Sequence, residues 1–122
     1  MTSTPQVLVL SNGDTFAKID LVQTKKTAAI LRAVNHKLRQ TILSLLNESS
    51  KMTVTEIYVK LRIEQSVASQ HLAILRRANI VVTKREGKFI FYSVNYGRIV
   101  ELGSFMEEFL KCNTISILKI LP

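Results

Sequence analysis

The sequence has 122 residues, enough for one domain with a buried core, and its 47% of hydrophobic residues argues against disorder over most of its length. A formal charge of +8 and a pI of about 9.9 indicate a polyanionic partner: DNA, RNA or an anionic membrane surface. The charge is concentrated, because residues 25–62 carry a net +6 and residues 64–98 a net +4, whereas the segments on either side carry −1 each. A solvated surface with excess lysine is the alternative explanation.

The sequence contains a single cysteine, Cys112, so the fold does not depend on an intrachain disulfide and a reducing compartment suits it. At the N-terminus no basic run precedes a long apolar stretch, which argues against a signal peptide. The apolar runs are much shorter than a membrane span. We therefore expect a cytoplasmic protein without a membrane partner.

Residues 1–16 form an N-terminal arm whose structure the sequence leaves open. Residues 6–10 favour a β-strand, and residues 11–14, with the sequence SNGD, are typical of a turn. The arm is therefore predicted to be either a short strand or hairpin, or a disordered tail.

Apolar residues at three- and four-residue spacing predict three helices between residues 18 and 61. The first begins near Lys18, and Asn35 is a candidate cap for the second. A polar loop ends the second helix, and Met52 or Thr53 begins the third. A tight turn at residues 62–64 then leads to a fourth helix.

The fourth helix, residues 64–79, has the composition of a helix that binds in the major groove of DNA. Its sequence is EQSVASQHLAILRRAN, with small polar residues in the first two turns and apolar residues at helical spacing on one side. Small polar side chains at a helix N-terminus allow the backbone to approach phosphates, and Gln can bind adenine through two hydrogen bonds. Arg76 and Arg77 follow near its end, where we expect phosphate contacts.

After the fourth helix the apolar pattern changes to the two-residue repeat of β-strands. Residues 80–84 and 88–95 predict two strands, joined by a turn at residues 86–87 in which Gly supplies a positive φ. A last helix with an apolar stripe is predicted at residues 96–111, and an apolar tail at residues 112–122.

Two helices joined by a short turn and followed by a basic hairpin make a winged helix-turn-helix. The predicted fold class is α+β and mostly helical, with about five helices and a two-stranded β-hairpin wing. Residues 17–111 would form the DNA-binding and dimerisation domain, because the terminal amphipathic helices exceed what one small core requires. A two-fold dimer would match a pseudo-palindromic site in double-stranded DNA, with half-sites about 34–36 Å apart or a multiple of that.

Several stretches follow one family pattern in order along roughly residues 20–110. They are NHKLRQTIL at residues 35–43, SQHLAIL at residues 69–75, REGK at residues 85–88 and FYSV at residues 91–94. They resemble, in turn, the start of the core helix, the S-x-H-L-x-x-L recognition-helix pattern, the wing turn and the returning strand of bacterial repressors of the ArsR/SmtB type. Asn79 replaces a frequent glycine but can adopt the same left-handed conformation, and Glu64 replaces a smaller cap.

The resemblance implies a homodimeric transcription factor, usually a repressor, whose first and fifth helices form the dimer interface. On the recognition helix it places in the DNA interface Gln65, Ser66, Ser69, Gln70 and His71. Further predicted DNA contacts are Arg76, Arg77, Lys84, Arg85 and Lys88. The predicted dimerisation residues are Leu21, Ile30, Ile99, Leu102, Met106, Phe109 and Leu110.

Three aromatic or imidazole groups have alternative roles. His71 can contact DNA or, equally, pack within the helix-turn-helix core. His36 is expected to be a surface or cap residue rather than a metal ligand. The aromatic residues of the returning strand are expected to pack rather than to stack on bases.

The residues of the family's sensing sites are absent from the matching positions. Metal-sensing members have two cysteines on the helix before the recognition helix, where this sequence has Tyr58 and Lys60, and a Lys ammonium has no acceptor for a metal. Other members bind zinc through Asp and His on the last helix, where this sequence supplies neither. Thiol-switch members need two cysteines, so Cys112 is expected to be an ordinary thiol. We expect no metal and no cofactor.

The predicted function is sequence-specific DNA binding by a transcriptional regulator, usually a repressor, with helix 64–79 in the major groove and wing 81–95 on phosphates. Neither a nucleophile–base pattern nor a phosphate-binding glycine loop is visible, so an enzyme is not expected. One alternative is a winged-helix module for protein interaction without a specific DNA target. Another is a metal or redox sensor with a non-standard site, such as a Cys112–Cys112 bridge between subunits.

Overall fold

A computed structural model describes the backbone of residues 6–120 and the side chains of residues 6–111. Its elements, in chain order, are β1 (Val7–Ser11), β2 (Phe16–Asp20), α1 (Leu21–Val34), α2 (Lys37–Ser49), α3 (Val54–Leu61), α4 (Gln65–Arg77), β3 (Val81–Glu86), β4 (Phe89–Val94) and α5 (Tyr96–Ile120). Five helices and the antiparallel pair β3–β4 confirm the predicted winged helix-turn-helix. The predictions for residues 1–5, for residues 121–122 and for the Cys112 side chain fall outside these residues.

The core lies between the helices of the middle of the chain and the base of the wing. Its largest side chains without exposed surface are Ile42, Leu46, Ile57, Leu72, Leu75, Ile80 and Val81. Those of α2 and α4 recur at three- or four-residue steps, so each helix turns one apolar stripe inwards. The helix-turn-helix is therefore held by packing rather than by exposed ion pairs.

Local capping defines both ends of α3. The Thr53 hydroxyl accepts a hydrogen bond from the Glu56 backbone N–H, and the Glu56 carboxylate accepts one from the Thr53 N–H, which makes a capping box. Arg62 ends α3 in the left-handed conformation, with φ of 56°. Three residues therefore suffice to redirect the chain into α4.

Asn79 follows the end of α4 in the left-handed conformation, as predicted for a residue that replaces glycine at this position. Its φ is 62°, and its N–H donates to the Arg76 carbonyl at 2.9 Å while the Ile80 N–H donates to the Leu75 carbonyl at 2.9 Å. This pair of bonds is the Schellman motif, which satisfies carbonyls at the helix C-terminus. The prediction that the C-cap survives without glycine is confirmed.

The cap of the second helix was predicted wrongly. His36, not Asn35, is the N-cap of α2, and its Nδ1 atom accepts a hydrogen bond from the Leu38 N–H at 3.2 Å. Asn35 instead ends α1, where its N–H donates to the Leu31 carbonyl at 3.0 Å. His36 was expected to be either a surface residue or a helix cap, and its role as a cap is confirmed.

The arm before α1 is a β-ribbon rather than a disordered tail over the described residues. It pairs β1 with β2, and the Asn12 side-chain oxygen accepts from the Asp14 and Thr15 N–H groups in the turn. The first helix therefore begins at Leu21 and not near Lys18, because Lys18 belongs to β2. Here the strand pairing decided the boundary.

Two other boundaries differ from those predicted. The cross-strand pair Glu86–Phe89 leaves Gly87 and Lys88 as the wing loop, one residue later than predicted, with φ of 64° at Gly87. Helix α5 continues to Ile120 instead of ending at residue 111, since no glycine or proline interrupts residues 112–120. Along the described chain no helix combines the length and the apolar composition that crossing a membrane requires.

The wing is tied to the segment between α2 and α3. The Met52 N–H donates to the Tyr92 carbonyl at 3.0 Å, and the Tyr92 N–H donates to the Met52 carbonyl at 2.7 Å. Met52 thus adds a single paired residue to the free edge of β4. This contact fixes the wing relative to the helix-turn-helix.

Candidate nucleic-acid interface

One face of α4 is exposed at both ends of the helix and half-buried between them, at Ala73. Its exposed residues are Gln65, Ser66, Ser69, Gln70, Arg76 and Arg77. Together with the half-buried Ala73 they recur at three- to four-residue steps and therefore share a side, opposite the buried Ala68, Leu72 and Leu75. Six of the ten predicted DNA contacts are thus brought together on a single surface, with uncharged donors and acceptors first and arginines last.

The N-terminus of α4 has no side-chain cap. Glu64 occupies the N-cap position, but its carboxylate accepts no hydrogen bond from the first turn. The first N–H groups of a helix lack partners within the helix and attract anions. The first turn of α4 can therefore bind a phosphate oxygen, with the exposed Glu64 carboxylate opposing that approach.

The wing carries its three predicted contacts on different surfaces. Lys84 and Arg85 are adjacent in β3, so their side chains point to opposite faces, whereas Lys88 lies in the wing loop. Arg85 shares a face with Tyr92, because Arg85 pairs with Ile90 and Thr83 pairs with Tyr92. All three cations are exposed.

Glu86, the acidic residue of the wing, forms an ion pair with Lys51. The Lys51 Nζ atom lies 2.6 Å from a Glu86 carboxylate oxygen and 4.6 Å from the centre of the Phe91 ring. The hydrogen bond from Lys51 lowers the pKa of Glu86 below its ordinary value. Glu86 is thus ionised, and its negative charge is balanced locally by Lys51, which lies outside the two strands of the wing.

A groove separates the exposed face of α4 from the wing. Ser69, Ala73, Arg76, Arg77 and Tyr92 line it. Ala73 and Tyr92 were not among the predicted contacts, although Ala73 follows Ser69 by four residues and so belongs to the same helical face. A small residue at this point leaves the centre of the α4 face open to close approach.

His71 is not on the exposed face. It lies three residues after the buried Ala68 and four before the buried Leu75, and its ring is half-buried. Its Nδ1 atom is 3.1 Å from Arg39 Nη1, and its ring centre is 4.7 Å from that of His36. Of the two roles left open for His71, packing inside the helix-turn-helix is the one this geometry favours.

Arg39 is the buried side chain that joins three helices. Its guanidinium donates to the Ala33 carbonyl at 2.6 Å, to the Arg32 carbonyl at 2.9 Å, and to His71. Those carbonyls are at the end of α1, where partners within the helix are missing and a cation is favourable. Sequence analysis overlooked Arg39, although its spacing from the buried Ile42 places it on the inner face of α2.

The contact with Arg39 fixes the protonation state of His71. An arginine can only donate, so the Nδ1 atom of His71 must accept and the ring must be neutral. Burial, then the charges of His36 and Arg39, lower the pKa of His71 below its ordinary value. Protonation would remove the acceptor and set two cations side by side.

The predicted dimerisation residues fall into two groups. Ile30, Ile99 and Leu102 are half-buried and pack against the core within one chain, and Leu21 is also half-buried. The three further along α5 are exposed: Met106, Phe109 and Leu110. Part of the predicted interface is therefore already used within the monomer.

The positions that bind metal in some relatives have unsuitable side chains. Tyr58 is half-buried and Lys60 is exposed on α3. Within the side chains that the structure describes, no three His, Cys, Asp or Glu residues lie close enough together to hold a metal ion. The donor chemistry at these positions does not fit the thiolate sites of metal-sensing members.

Comparisons with known proteins agree with this geometry. Residues 36–83 match a family model described as bacterial regulatory protein, arsR family. An uncharacterized helix-turn-helix transcriptional regulator of Methanocaldococcus jannaschii is 36% identical over 84 residues, which cover 69% of this chain and 94% of that protein. The transcriptional repressor PagR of Bacillus anthracis is 30% identical over 82 residues, which cover 67% of this chain and 82% of PagR.

A solved structure shows the same fold. An ArsR-like transcriptional regulator from Rhodococcus sp. RHA1 superposes with a TM-score of 0.72 at 16% identity, covering 81% of this chain and 92% of that one. The residues that match the family model, 36–83, include all of α4 and the first three residues of β3. The chain therefore belongs to the ArsR family of winged-helix proteins and is a DNA-binding transcriptional regulator rather than an enzyme.

Proposed function

We propose that this chain is a sequence-specific repressor that binds a pseudo-palindromic operator as a homodimer. The observation that carries the proposal is the exposed face of α4, which presents Gln65, Ser66, Ser69 and Gln70. Among the described hydrogen bonds, none involves these four side chains. Among the relatives, PagR is named a repressor. In this proposal α4 enters the major groove of each half-site.

The polar residues of α4 supply the base contacts. Gln can form two hydrogen bonds with adenine in the major groove, and serine hydroxyls can bind either a base or a phosphate. Gln65 and Gln70 are exposed, so both amides are available to base edges. Ala73 adds a small apolar surface on the same face, suited to a thymine methyl group.

The basic residues supply affinity that does not depend on sequence. Arg76 and Arg77 lie at the end of α4 beside the groove, and on the wing Arg85 shares the face of Tyr92, Lys84 lies on the opposite face and Lys88 lies in the loop. Contacts between such side chains and phosphates release counterions, so their contribution decreases as salt increases. His71 is not included in this contact surface, because Arg39 already occupies its Nδ1 atom.

The homodimer rests on the exposed end of α5. Phe105 and Phe109 stack with ring centres 6.0 Å apart, and both are exposed together with Met106. Burying aromatic side chains in a second copy would stabilise association through the hydrophobic effect. A two-fold dimer would present two α4 helices to two half-sites of one operator.

The experiment that tests this function is a titration of the purified protein against genomic DNA fragments, including its own upstream region, with non-specific competitor at about physiological salt. The proposal expects one pseudo-palindrome to bind at least ~10³-fold more tightly than random DNA. A matched fragment with one half-site scrambled tests the dimer at the same time. Reduction of transcription from the identified promoter in vitro would separate a repressor from an activator.

A second candidate function follows from the wing. Phe89 is 51% exposed and Ile90 50% exposed, and both border a groove between β4 and the start of α3. Such apolar surface outside the proposed dimer interface suits a protein partner. Weak binding to every fragment that disappears with salt would favour this protein-interaction module over the operator-binding repressor.

A further inference from the structure

The N-terminal β-ribbon, formed by β1 and β2, is exposed along its whole length. Its six large hydrophobic side chains are all at least partly open to solvent: Val7, Leu8, Val9, Leu10, Phe16 and Ile19. Its contacts beyond itself are mainly with α1. A two-stranded ribbon alone is marginally stable in water, so an ordered ribbon of this composition calls for a further packing surface.

The two edges of the ribbon differ in charge. Strand β1 has the sequence VLVLS without a charged residue, whereas β2 has the sequence FAKID and carries Lys18 and Asp20. Charged side chains protect an edge strand from pairing, and a flat, uncharged, apolar edge pairs readily with another strand. Over residues 6–120 no strand other than β2 pairs with β1, so one edge of β1 is open.

One face of the ribbon is entirely apolar. Leu8 pairs with Ile19 and Leu10 with Ala17, and residues opposite each other in an antiparallel pair share a face. The other face mixes Val7 and Val9 with Asp20 and Lys18. Adding a second ribbon at the β1 edge would double the apolar face into a four-stranded surface.

The ribbon is fixed to α1 without a linker. Strand β2 ends at Asp20 and α1 begins at Leu21, and the Asp20 carboxylate accepts hydrogen bonds from the Val22 and Gln23 N–H groups at 2.9 and 3.2 Å. The Leu21 N–H donates to the Gln6 carbonyl at 2.8 Å. Any contact made by the ribbon therefore acts directly on α1. The family resemblance places α1, together with α5, in the dimer interface.

Charge identifies the kind of partner. The segment before residue 25 carries a net −1 in a chain of net +8, so the ribbon does not have the charge of an arm that follows DNA. Two copies of this chain repel each other through their basic middle regions, and they can approach more easily at the ends, each of which carries only a net −1. A second copy also supplies an edge identical to β1, with the same absence of charge.

We propose that β1 pairs with β1 of a second copy, so that the homodimer contains a four-stranded antiparallel sheet in the order β2–β1–β1–β2. A two-fold axis perpendicular to a strand relates it to its copy as an antiparallel pair, which is the ladder that isolated strands form most readily. One residue of β1 then lies opposite itself. The inference rests on the proposed homodimer and not on the choice of operator.

Disulfide cross-linking tests the pairing directly. In a Cys112→Ser background, Val7, Leu8, Val9 and Leu10 are each replaced by cysteine in turn, and Lys18→Cys on the opposite edge is the control. Opposite residues in an antiparallel pair have Cα atoms about 4.5–5.5 Å apart, within the range of a disulfide. We expect one β1 position to give a cross-linked dimer under mild oxidation while Lys18→Cys stays monomeric on a denaturing gel. Equal cross-linking at both edges, or none on β1, overturns the proposal.

A matched pair of charge substitutions separates edge pairing from simple packing of the apolar face. Leu8 and Ile19 are cross-strand partners, 41% and 45% exposed, so Leu8→Lys and Ile19→Lys place the same charge on the same face. In a β1–β1 pair a lysine at position 8 lies within the new ladder, whereas a lysine at position 19 lies on the outer strand. Because a charged side chain protects a strand from edge pairing, edge pairing predicts that Leu8→Lys raises the dimer dissociation constant by about tenfold more than Ile19→Lys. Equal effects contradict edge pairing.

The mass of the unmodified protein distinguishes failure of the pairing from failure of the homodimer. A monomer at micromolar concentration in sedimentation analysis overturns both the homodimer and the pairing. A dimer that shows no β1 cross-link overturns only the pairing. A tetramer overturns the proposal that one homodimer contains both contacts. In a tetramer α5 and the ribbon would form two separate two-fold interfaces with different copies.

Discussion

The middle of this chain and its two ends differ in what one copy buries. From α2 through the wing, most large apolar side chains pack into one core, and Val59, Val82, Phe89 and Ile90 are the exposed exceptions. At the ends, the ribbon exposes six large hydrophobic side chains, and α5 exposes six more among its described side chains, residues 96–111. The middle therefore has its own core within one copy, whereas the described side chains at the ends are mostly exposed and offer surface that another molecule can cover.

This difference separates two tasks that one small domain must perform. DNA binding needs a rigid exposed helix with positive charge around it, which the packed core under α4 supplies. Association between copies needs apolar surface and little charge, and the segments at both ends each carry a net −1. Substitutions in the two regions should therefore change different measurements.

The largest expected contrast is in stability. Leu72→Ala empties a site in the core where the side chain has no exposed surface, and such a change costs about 2–5 kcal/mol. Phe109 is 60% exposed, so Phe109→Ala should change the free energy of unfolding at low protein concentration by no more than about 0.5 kcal/mol. Urea denaturation of both variants measures this, and equal losses would remove the distinction between the regions.

Arg39→Met should be the next most damaging change. It removes hydrogen bonds to two carbonyls and to His71, and hydrogen bonds of a charged group contribute about 1.5–3 kcal/mol each before compensation. We expect a loss on the order of 3 kcal/mol in thermal or chemical denaturation. Arg32→Met is the control, because Arg32 is exposed and only its carbonyl takes part; a similar loss there would contradict the role given to Arg39.

Gln70→Ala tests base contacts by α4. It should cost about 1–3 kcal/mol at the operator and relax specificity at one position, while stability stays unchanged because Gln70 is exposed. Gln65→Ala is expected to behave in the same way. Fluorescence anisotropy with operator and random DNA measures both affinities. Equal losses on the two DNAs would show that the glutamines do not contact bases.

Lys88→Ala tests the phosphate contacts of the wing. We expect binding to weaken similarly on all sequences, and the slope of log affinity against log salt to decrease by about one. Lys18→Ala, on the ribbon, should leave that slope unchanged because the ribbon lies outside the proposed contact surface. A change in slope with Lys18→Ala would place the ribbon on DNA and break the contrast between middle and ends.

The smallest expected effect is a dependence of stability on pH through His71. Because the folded chain lowers its pKa, the unfolded chain takes up a proton first as the pH falls below the ordinary value of about 6.5. The stabilisation is therefore fully present above that value and decreases as the pH falls through the lower pKa of the folded state. Denaturation of the unmodified chain and of His71→Gln between about pH 8 and 5 measures it. Identical pH profiles would contradict the role given to the neutral ring.

The sequence predicted the elements that depend on local patterns. Helical spacing of apolar residues predicted α4 with its exposed polar face, and alternation predicted the wing. It also predicted that Asn79 would replace glycine at the helix end. These features depend on residues a few positions apart, so the chain alone was enough to find them.

The tertiary structure decided contacts between residues far apart in the chain. Arg39 and His71 are 32 positions apart, and no local pattern indicates that an arginine on α2 would form a hydrogen bond with a histidine on α4. The ribbon is similar, because the apolar residues of β1 allow either a strand or a tail until pairing with β2 fixes it. Periodicity determines which side of an element faces inwards, but only the packing of elements determines which groups meet there.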